Sequence, residues 1–388
     1  TFSGAVNFIT REPGDEWLVQ VRGGVEEFDG SNLGVAVAGP VIEDVLSVRL
    51  SADRLVRGAQ FDTSDGGELG EEESMQYNMT LLWTPNDAFR AKLRYSRMDT
   101  DDGPAAVGVL NSFLDPDLDN ACLTGTVPFF CGALPADRGL LDQNTQVPAT
   151  LRSQLTALVN NDVEAINEFA AAPYDGNNPE LQLLEDLGVS DFGLKSENER
   201  LTLELGYRFA NGYSIDVLYG DNSTDQGILR DRDNTTTING LLTFGVGGLA
   251  FEDESFEIRL TSPQDARFRW LLGYNRIEQS VTGGVGGGIG LTVLNNQIVG
   301  LSLPSVTEQT DSDFDGIFAA LSYDITEQLT VDIEARRQTD KVTNAVGTPG
   351  ERSEEFKDTA PRYILTWQPN DGTTVYTSWA RGLLPGTT

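Results

Sequence analysis

The sequence predicts an all-β chain: part of a transmembrane, antiparallel, up-and-down β-barrel with a long helix-containing outer loop. Three observations carry this expectation. Apolar residues recur at every second position in runs of about ten residues, the length a tilted strand needs to cross a bilayer. The apolar faces of those runs often end in Trp, Tyr or Phe, as an interfacial girdle requires. Short connections alternate with long ones along the chain.

In chain order, Met75, Tyr77, Met79, Leu81 and Trp83 share one face of the first clear run. Phe89, Ala91, Leu93 and Tyr95 share a face of the next, opposite Arg90, Lys92, Arg94 and Ser96. Leu201, Leu203, Leu205, Tyr207 and Phe209 lie opposite Thr202, Glu204, Gly206 and Arg208. Tyr213, Ile215, Val217 and Tyr219 follow, then Phe268, Trp270, Leu272 and Tyr274. Leu329, Val331, Ile333 and Ala335 oppose Thr330, Asp332, Glu334 and Arg336. Each run reads as a strand because successive side chains of a strand point to opposite faces. A soluble sandwich alternates in the same way, so this pattern does not decide between the two.

The connections decide more. "PVIED", "TPNDA", "ANG", "SPQDAR", "DITEQ" and "QPNDG" each place Pro, Asn, Asp or Gly for a tight turn. Between them lie long stretches at 57–74, 99–196, 221–253, 280–313 and 339–355. A short-long rhythm puts all tight turns at one end of the strands and all long loops at the other. Outer-membrane barrels have that asymmetry; Greek-key sandwiches have no reason for it. The count is about thirteen strands, the last being "TTVYTSWARG". Single-chain bacterial barrels use an even number, so both ends are expected to be cut.

The insertion at about 99–195 is far longer than an ordinary loop. Within it Leu151, Leu155, Leu158, Val163, Ile166 and Phe169 recur at helical spacing, and a second helix is expected at "NPELQLLEDLG", stopped by Gly188. These helices are read as packing the loop onto itself rather than touching a ligand. Cys122 and Cys131 also lie here. A disulfide is preferred over two free thiols, which points outside the cytoplasm.

The charge excludes other functions. The 388 residues carry 60 Asp and Glu against 27 Lys and Arg, a formal net charge of −33. Such a surface repels phosphate backbones, so no nucleic-acid partner is expected. With no His there is no His triad, His metal site or His-ligated haem, and the two Cys cannot complete a zinc site. No metal, cofactor or catalytic residue is expected. The acidic run Asp62–Ser74 reads as a solvated loop, with cation capture as the sharper alternative. The glycines of Gly283–Gly290 read as a flexible outer loop, because no alternating α/β pattern surrounds them to make a dinucleotide site. No signal peptide and no run of about 18 apolar residues is visible, which says nothing against a barrel.

Three segments resemble the TonB-dependent outer-membrane receptors. "TFSGAVNFITREP" (Thr1–Pro13) is similar to the end of that family's plug domain, where a Gly-Ala-Val-Asn-Phe-Ile-Thr-Arg-x-Pro-like run leads into the first barrel strand. "VAGPVIEDVLSVRLSADRLVRGAQF" (Val37–Phe61) is similar to the second and third strands with their turn. "TVYTSWARGLLPGTT" (Thr374–Thr388) looks like a mid-barrel segment, although Leu383 stands where an aromatic is usual and "PGTT" replaces a Gly-Gly-Phe-Asn-like ending. The resemblance implies the end of a plug at 1–14 and the N-terminal part of a barrel at 15–388, with about 13 of 22 strands present. It implies active import of a scarce ligand, foremost a ferric siderophore, with energy delivered through TonB to an upstream region. Outer-membrane lipid is the surrounding partner. No bond chemistry is implied.

Within that frame Arg90, Lys92 and Arg94 form a basic stripe on the predicted lumen face. They read either as attracting an anionic ligand or, preferably, as pairing with acidic residues of the plug or neighbouring strands. Arg259, Arg269 and Arg336 invite the same two readings. The rivals to import are a passive porin and a soluble secreted β-protein that binds carbohydrate.

Overall fold

A computed structural model describes residues 11–63, 65–106, 121–124, 127–130, 145, 149–169, 174–176, 178–231, 242–283, 289–294, 297–302 and 309–382. The strands are β1 (Leu18–Val25), β2 (Ser31–Ile42), β3 (Leu46–Arg57), the short β4 (Phe61–Asp62) and β5 (Glu68–Leu69), β6 (Glu72–Asn86), β7 (Phe89–Asp102), and a hairpin of β8 (Ala121–Thr124) and β9 (Val127–Phe130). Three helices follow: α1 (Ala149–Val159), α2 (Val163–Asn167) and α3 (Pro179–Asp186). The remaining strands are β10 (Gly193–Arg208), β11 (Ser214–Asp231), β12 (Leu242–Thr261), β13 (Phe268–Gly283), β14 (Ile289–Leu294), β15 (Gln297–Ser302), β16 (Gln309–Thr326), β17 (Leu329–Asn344), β18 (Arg352–Asn370) and β19 (Thr373–Ala380).

Thirteen of these strands form one antiparallel wall in the order β1-β2-β3-β6-β7-β10-β11-β12-β13-β16-β17-β18-β19. Each strand therefore pairs with the next one along the chain, apart from hairpins that sit in connections. This is the up-and-down topology and the strand count that the alternation predicted. The tight turns expected between β2 and β3, β6 and β7, β10 and β11, β12 and β13, β16 and β17, and β18 and β19 all lie at one rim.

The register explains why one face is apolar. Val48, Leu81, Leu93, Leu203, Tyr219 and Phe256 stand side by side across six strands. Trp270, Leu321, Ile333, Tyr363 and Trp379 form a second such row across five. Many of these side chains stay open: Leu321 is 42% and Tyr363 47% exposed. A continuous apolar face of this extent has no place in water, and lipid is the solvent that suits it.

The fully buried apolar side chains lie elsewhere. Leu69, Leu158, Ile166, Leu181, Leu184 and Leu229 come from β5, the helices and the far end of β11. The long-loop rim thus carries a small core of its own, and α3 packs against β11 and β12. Gly227 permits this approach, because a Cβ there would lie 2.8 Å from a methyl of Val189 and 2.9 Å from one of Leu184.

Three details differ from expectation. Wall strands run well past ten residues, to 18 in β11 and 20 in β12. In β11 the stretch Gly220–Gln226 above the apolar row is polar or Gly on both faces, so the ladder continues where the alternation signal stops. The connection expected at 221–253 consequently shrinks to 232–241, and the one expected at 339–355 to 345–351. The stretches read as loops also hold the hairpins β8–β9 and β14–β15. Finally, the helical run 151–169 is broken in two. Asn161 takes a positive φ of 50°, and Asp162 caps α2 by accepting from the backbone N–H of Ala165. Asn178 caps α3 in the same way, and Gly188 at φ +61° follows it.

Candidate lumenal site

The face opposite the apolar rows is polar and holds the basic stripe. Its parity follows from the register: Leu93 and Tyr95 belong to the apolar face, so Arg94 between them points to the other. Arg90 and Lys92 are not open charges. Arg90 donates to Glu12 at 2.6 Å and lies 3.8 Å from Glu204; Lys92 lies 2.8 Å from Glu204 and 3.2 Å from Glu12. Lys92 and Glu204 are register partners on β7 and β10. Glu12 comes from the segment that precedes β1. Burial works to raise its carboxyl pKa, but the hydrogen bonds and charges of Arg90 and Lys92 outweigh burial and hold it below the usual range.

Arg94 has a different setting. It shares a cavity of about 300 Å³ with Arg11, Arg49 and Arg200. The register brings these together from three strands and the segment before β1. Arg49 on β3 is opposite Thr80 on β6, and Thr80 is opposite Arg94 on β7. One row further on, Ser51, Asn78, Ser96 and Arg200 are aligned. Asn78 donates to Ser51 at 3.3 Å, Arg200 donates to Asn222 at 2.9 Å, and Asn222 donates to Asp253 at 2.8 Å. Among the described residues, none of Arg11, Arg49, Arg94 and Arg200 has a carboxylate within ion-pair distance. Arg11, Arg49 and Arg200 were not identified from sequence, because which strand neighbours which, and at what offset, is not written in any one run.

The other basic residues singled out in the sequence are engaged. Arg259 pairs with Glu257, Arg269 with Asp324 at 2.5 Å, and Arg336 donates to Gln338 at 2.8 Å. At the long-loop rim Asp65 clamps the insertion: it accepts from the backbone N–H of Thr145 at 2.8 Å and from that of Gly67 at 3.0 Å. The Cys122–Cys131 bridge lies outside the described residues, since Cys131 is not among them, and so do Thr1–Thr10 and the glycines 284–288.

Comparison with known proteins places this geometry in context. The profile of a family described as "TonB dependent receptor-like, beta-barrel" matches residues 136–388. Among solved structures, the chain is similar to the siderophore receptor PiuA from Acinetobacter baumannii, with a TM-score of 0.60 and 11% identity over 96% of this chain and 50% of that one. It is similar to the ferric yersiniabactin uptake receptor from Yersinia pestis, with a TM-score of 0.59 and 13% identity over 95% of this chain and 47% of that one. The ferripyoverdine receptor of Pseudomonas aeruginosa, solved with ferripyoverdine bound, matches with a TM-score of 0.58 and 13% identity over 95% and 43%. At these identities the likeness speaks to the fold alone. The chain spans about half the length of the structures it matches.

Proposed function

The chain belongs to the TonB-dependent receptor-like β-barrel family, whose members sit in the Gram-negative outer membrane, and from that premise we propose that it serves active import of a scarce ligand, foremost a ferric siderophore, powered through TonB. The observation that carries this reading is the division of the wall into two faces. One presents continuous apolar rows to lipid; the other presents a charged, hydrogen-bonded lumen to which the segment before β1 is ion-paired through Glu12.

We assign residues 1–14 to the end of a plug and 15–388 to barrel wall with its outer insertion. Arg90 and Lys92 hold the plug end against the wall through Glu12. Arg94, turned to the same lumen without a carboxylate of its own among the described residues, offers positive charge to an anionic cargo. Import then requires the plug to shift, which breaks the ion pairs of Glu12 with Arg90 and Lys92. Partly exposed ion pairs of this kind are individually weak, so they release at a cost that energy transduction can meet.

The test is growth and radiolabelled iron-chelate uptake in the source cell under iron limitation, with and without the gene, and in a TonB-deficient background. Loss of uptake of at least one chelate in both mutants is the expected result. Unchanged uptake of every chelate on loss of the gene would remove the siderophore reading, and uptake that persists without TonB would remove the energised one.

A further inference from the structure

We propose that Arg337, Thr339, Lys357 and Thr359 form a site on the lipid face of the wall, holding the phosphate of an anionic lipid in the leaflet on the long-loop side. The site goes beyond import. It rests on the outer-membrane placement of the wall and is independent of what crosses the lumen.

Register builds the site. On β17 and β18 Arg337 stands opposite Thr359, and Thr339 opposite Lys357. All four share the parity of Ile333 and Tyr363 in the outward apolar row. They make a square of neighbours, with the two cations on one diagonal and the two hydroxyls on the other, so every corner carries a hydrogen-bond donor. Arg337, Lys357 and Thr359 are exposed. Below the square come Ala335 with Pro361, then Ile333 with Tyr363. The small Ala335 and Pro361 give a shallow apolar track on which an acyl chain can lie. Leu329 and Trp367 pair at the tight-turn end of the same strands. From Leu329 to Arg337 a strand of usual rise and tilt climbs about 20 Å, and the apolar band of such barrels is about 25 Å tall. Arg337 therefore stands at the upper edge of the hydrocarbon, and its long stem carries the guanidinium to headgroup level.

Other basic side chains on this face have carboxylate partners. Arg54 pairs with Glu73 at 2.7 Å, Arg97 with Glu197 at 2.9 Å and Glu199 at 2.8 Å, and Arg276 with Glu278. Arg337 has none within ion-pair distance among the described residues. Its neighbours across the two ladders are Ile317 and Thr359. Both flanking strands are described along their whole length, and the lumen with its plug lies on the other side of the sheet, so neither is placed to supply a partner. The acidic positions next to the square are Asp315 and Glu355. Asp315 accepts from the Tyr274 hydroxyl at 2.6 Å and faces Arg276. Glu355 pairs with Lys357, but both side chains are about half exposed, and such pairs are weak enough to exchange partners. A phosphomonoester suits the square: it brings three acceptor oxygens and negative charge to a guanidinium fork, an ammonium and two hydroxyls. A zwitterionic headgroup would bring a cation of its own against Arg337 and Lys357.

The experiment uses the intact receptor purified in neutral detergent. It is incubated with equal amounts of phosphatidic acid and phosphatidylcholine of the same chains, and the retained lipids are counted by native mass spectrometry. Wild type is compared with Arg337→Gln, Lys357→Gln and Thr359→Val, and with Arg276→Gln as a control from an engaged pair on the same face. Wild type is expected to retain phosphatidic acid in preference. A basic residue near a charged lipid surface is worth about fivefold, so Arg337→Gln and Lys357→Gln should each lose about that factor, Thr359→Val less and the control nothing. Inorganic phosphate should not displace the lipid. No preference in wild type, or the same preference in Arg337→Gln, overturns the proposal. Displacement by inorganic phosphate overturns it as well, since the chains then contribute nothing. Loss of retention on chelating divalent cations also overturns it, because the lipid is then held through a metal on Asp315 and Glu355. Without lipid, Arg337→Gln should melt with wild type; a lower melting point would mean that protein groups already hold Arg337, and would sink the site. None of these readouts involves uptake, so failure here leaves the import reading standing.

Discussion

Glu12 accepts a hydrogen bond of 2.6 Å from Arg90, 78 residues further along the chain. The segment that carries Glu12 leads into β1, yet its carboxylate is held by β7, the fifth strand of the wall. It therefore lies against the inner face of the wall four strands from β1, and it joins Arg90 and Lys92 to Glu204 in one cluster of alternating charge.

Replacing Glu12 by Gln should loosen this anchor by about 1 kcal/mol or less, given how open the pair is. The effect depends on pH in a defined direction. The folded carboxyl titrates below its ordinary value of 4.5, so its stabilisation is fully present above that value and is lost as pH falls through the depressed one. Melting curves of wild type and Glu12→Gln in detergent should differ at pH 7 and converge as the pH falls below 4.5 and through the depressed pKa. A gap that widens on acidification would contradict the assignment.

Asp65 fixes the outer insertion to the β4–β5 turn through Thr145, which is itself buried. Burial raises the Asp65 pKa, and hydrogen bonds from Thr145, Thr63 and Gly67 outweigh that and lower it, so the carboxylate is the form the clamp holds. Asp65→Ala removes the acceptor shared by four donors, the N–H and hydroxyl of Thr145, the Thr63 hydroxyl and the Gly67 N–H. Limited proteolysis around Thr145 should speed up several-fold in that variant while the wall stays intact. Gly67→Ala should act in the same direction, because its Cβ would fall 1.7 Å from the Thr145 hydroxyl.

The wall was largely legible in the sequence because its information is local. Alternation in "AFRAKLRYSRM" assigns Arg94 to a face without reference to anything distant. What alternation lacks is register. That Arg49, Arg94 and Arg200 share a cavity depends on the offsets of three strand pairs, and a shift of one residue in any of them would turn a side chain to the other face. Strand ends were hidden for a related reason. Beyond Tyr219, β11 carries Gly or polar residues on both faces from Gly220 to Gln226, and backbone pairing leaves no trace in such a pattern. The break after α1 follows from a positive φ at Asn161 and a cap at Asp162. Both residue types favour that conformation, and the "NND" triplet was the available signal.

The insertion should unfold independently of the wall. Leu181 and Leu184 on α3 are fully buried, among the few side chains in that state. Leu184→Ala should cost the insertion about 2–4 kcal/mol, from lost burial plus the cavity left against Gly227 and Val189. Hydrogen exchange should report faster opening in α1–α3 with the protection of β16–β18 unchanged. Uniform destabilisation of both regions would show that wall and insertion form one cooperative unit.

The orientation of the wall can be tested with two adjacent residues. Leu321 lies in the outward row between Trp270 and Ile333, whereas Ala320 faces the lumen opposite Leu271 and Glu334. Along β16 the outward positions run Ile317, Ala319, Leu321, Tyr323 and Ile325, so Leu321 is central to the apolar stretch and close to the mid-depth of the bilayer. An arginine there must be buried in hydrocarbon or drag water and headgroups to itself, at about 2–4 kcal/mol. An arginine at position 320 meets a wet interior that already carries Glu334. Reversible folding into lipid vesicles should show a loss of that size for Leu321→Arg and a change of less than about 1 kcal/mol for Ala320→Arg. The same loss at both positions, or the reverse order, would mean that the apolar rows do not face lipid. The division of the wall into a lipid face and a lumen would then be wrong.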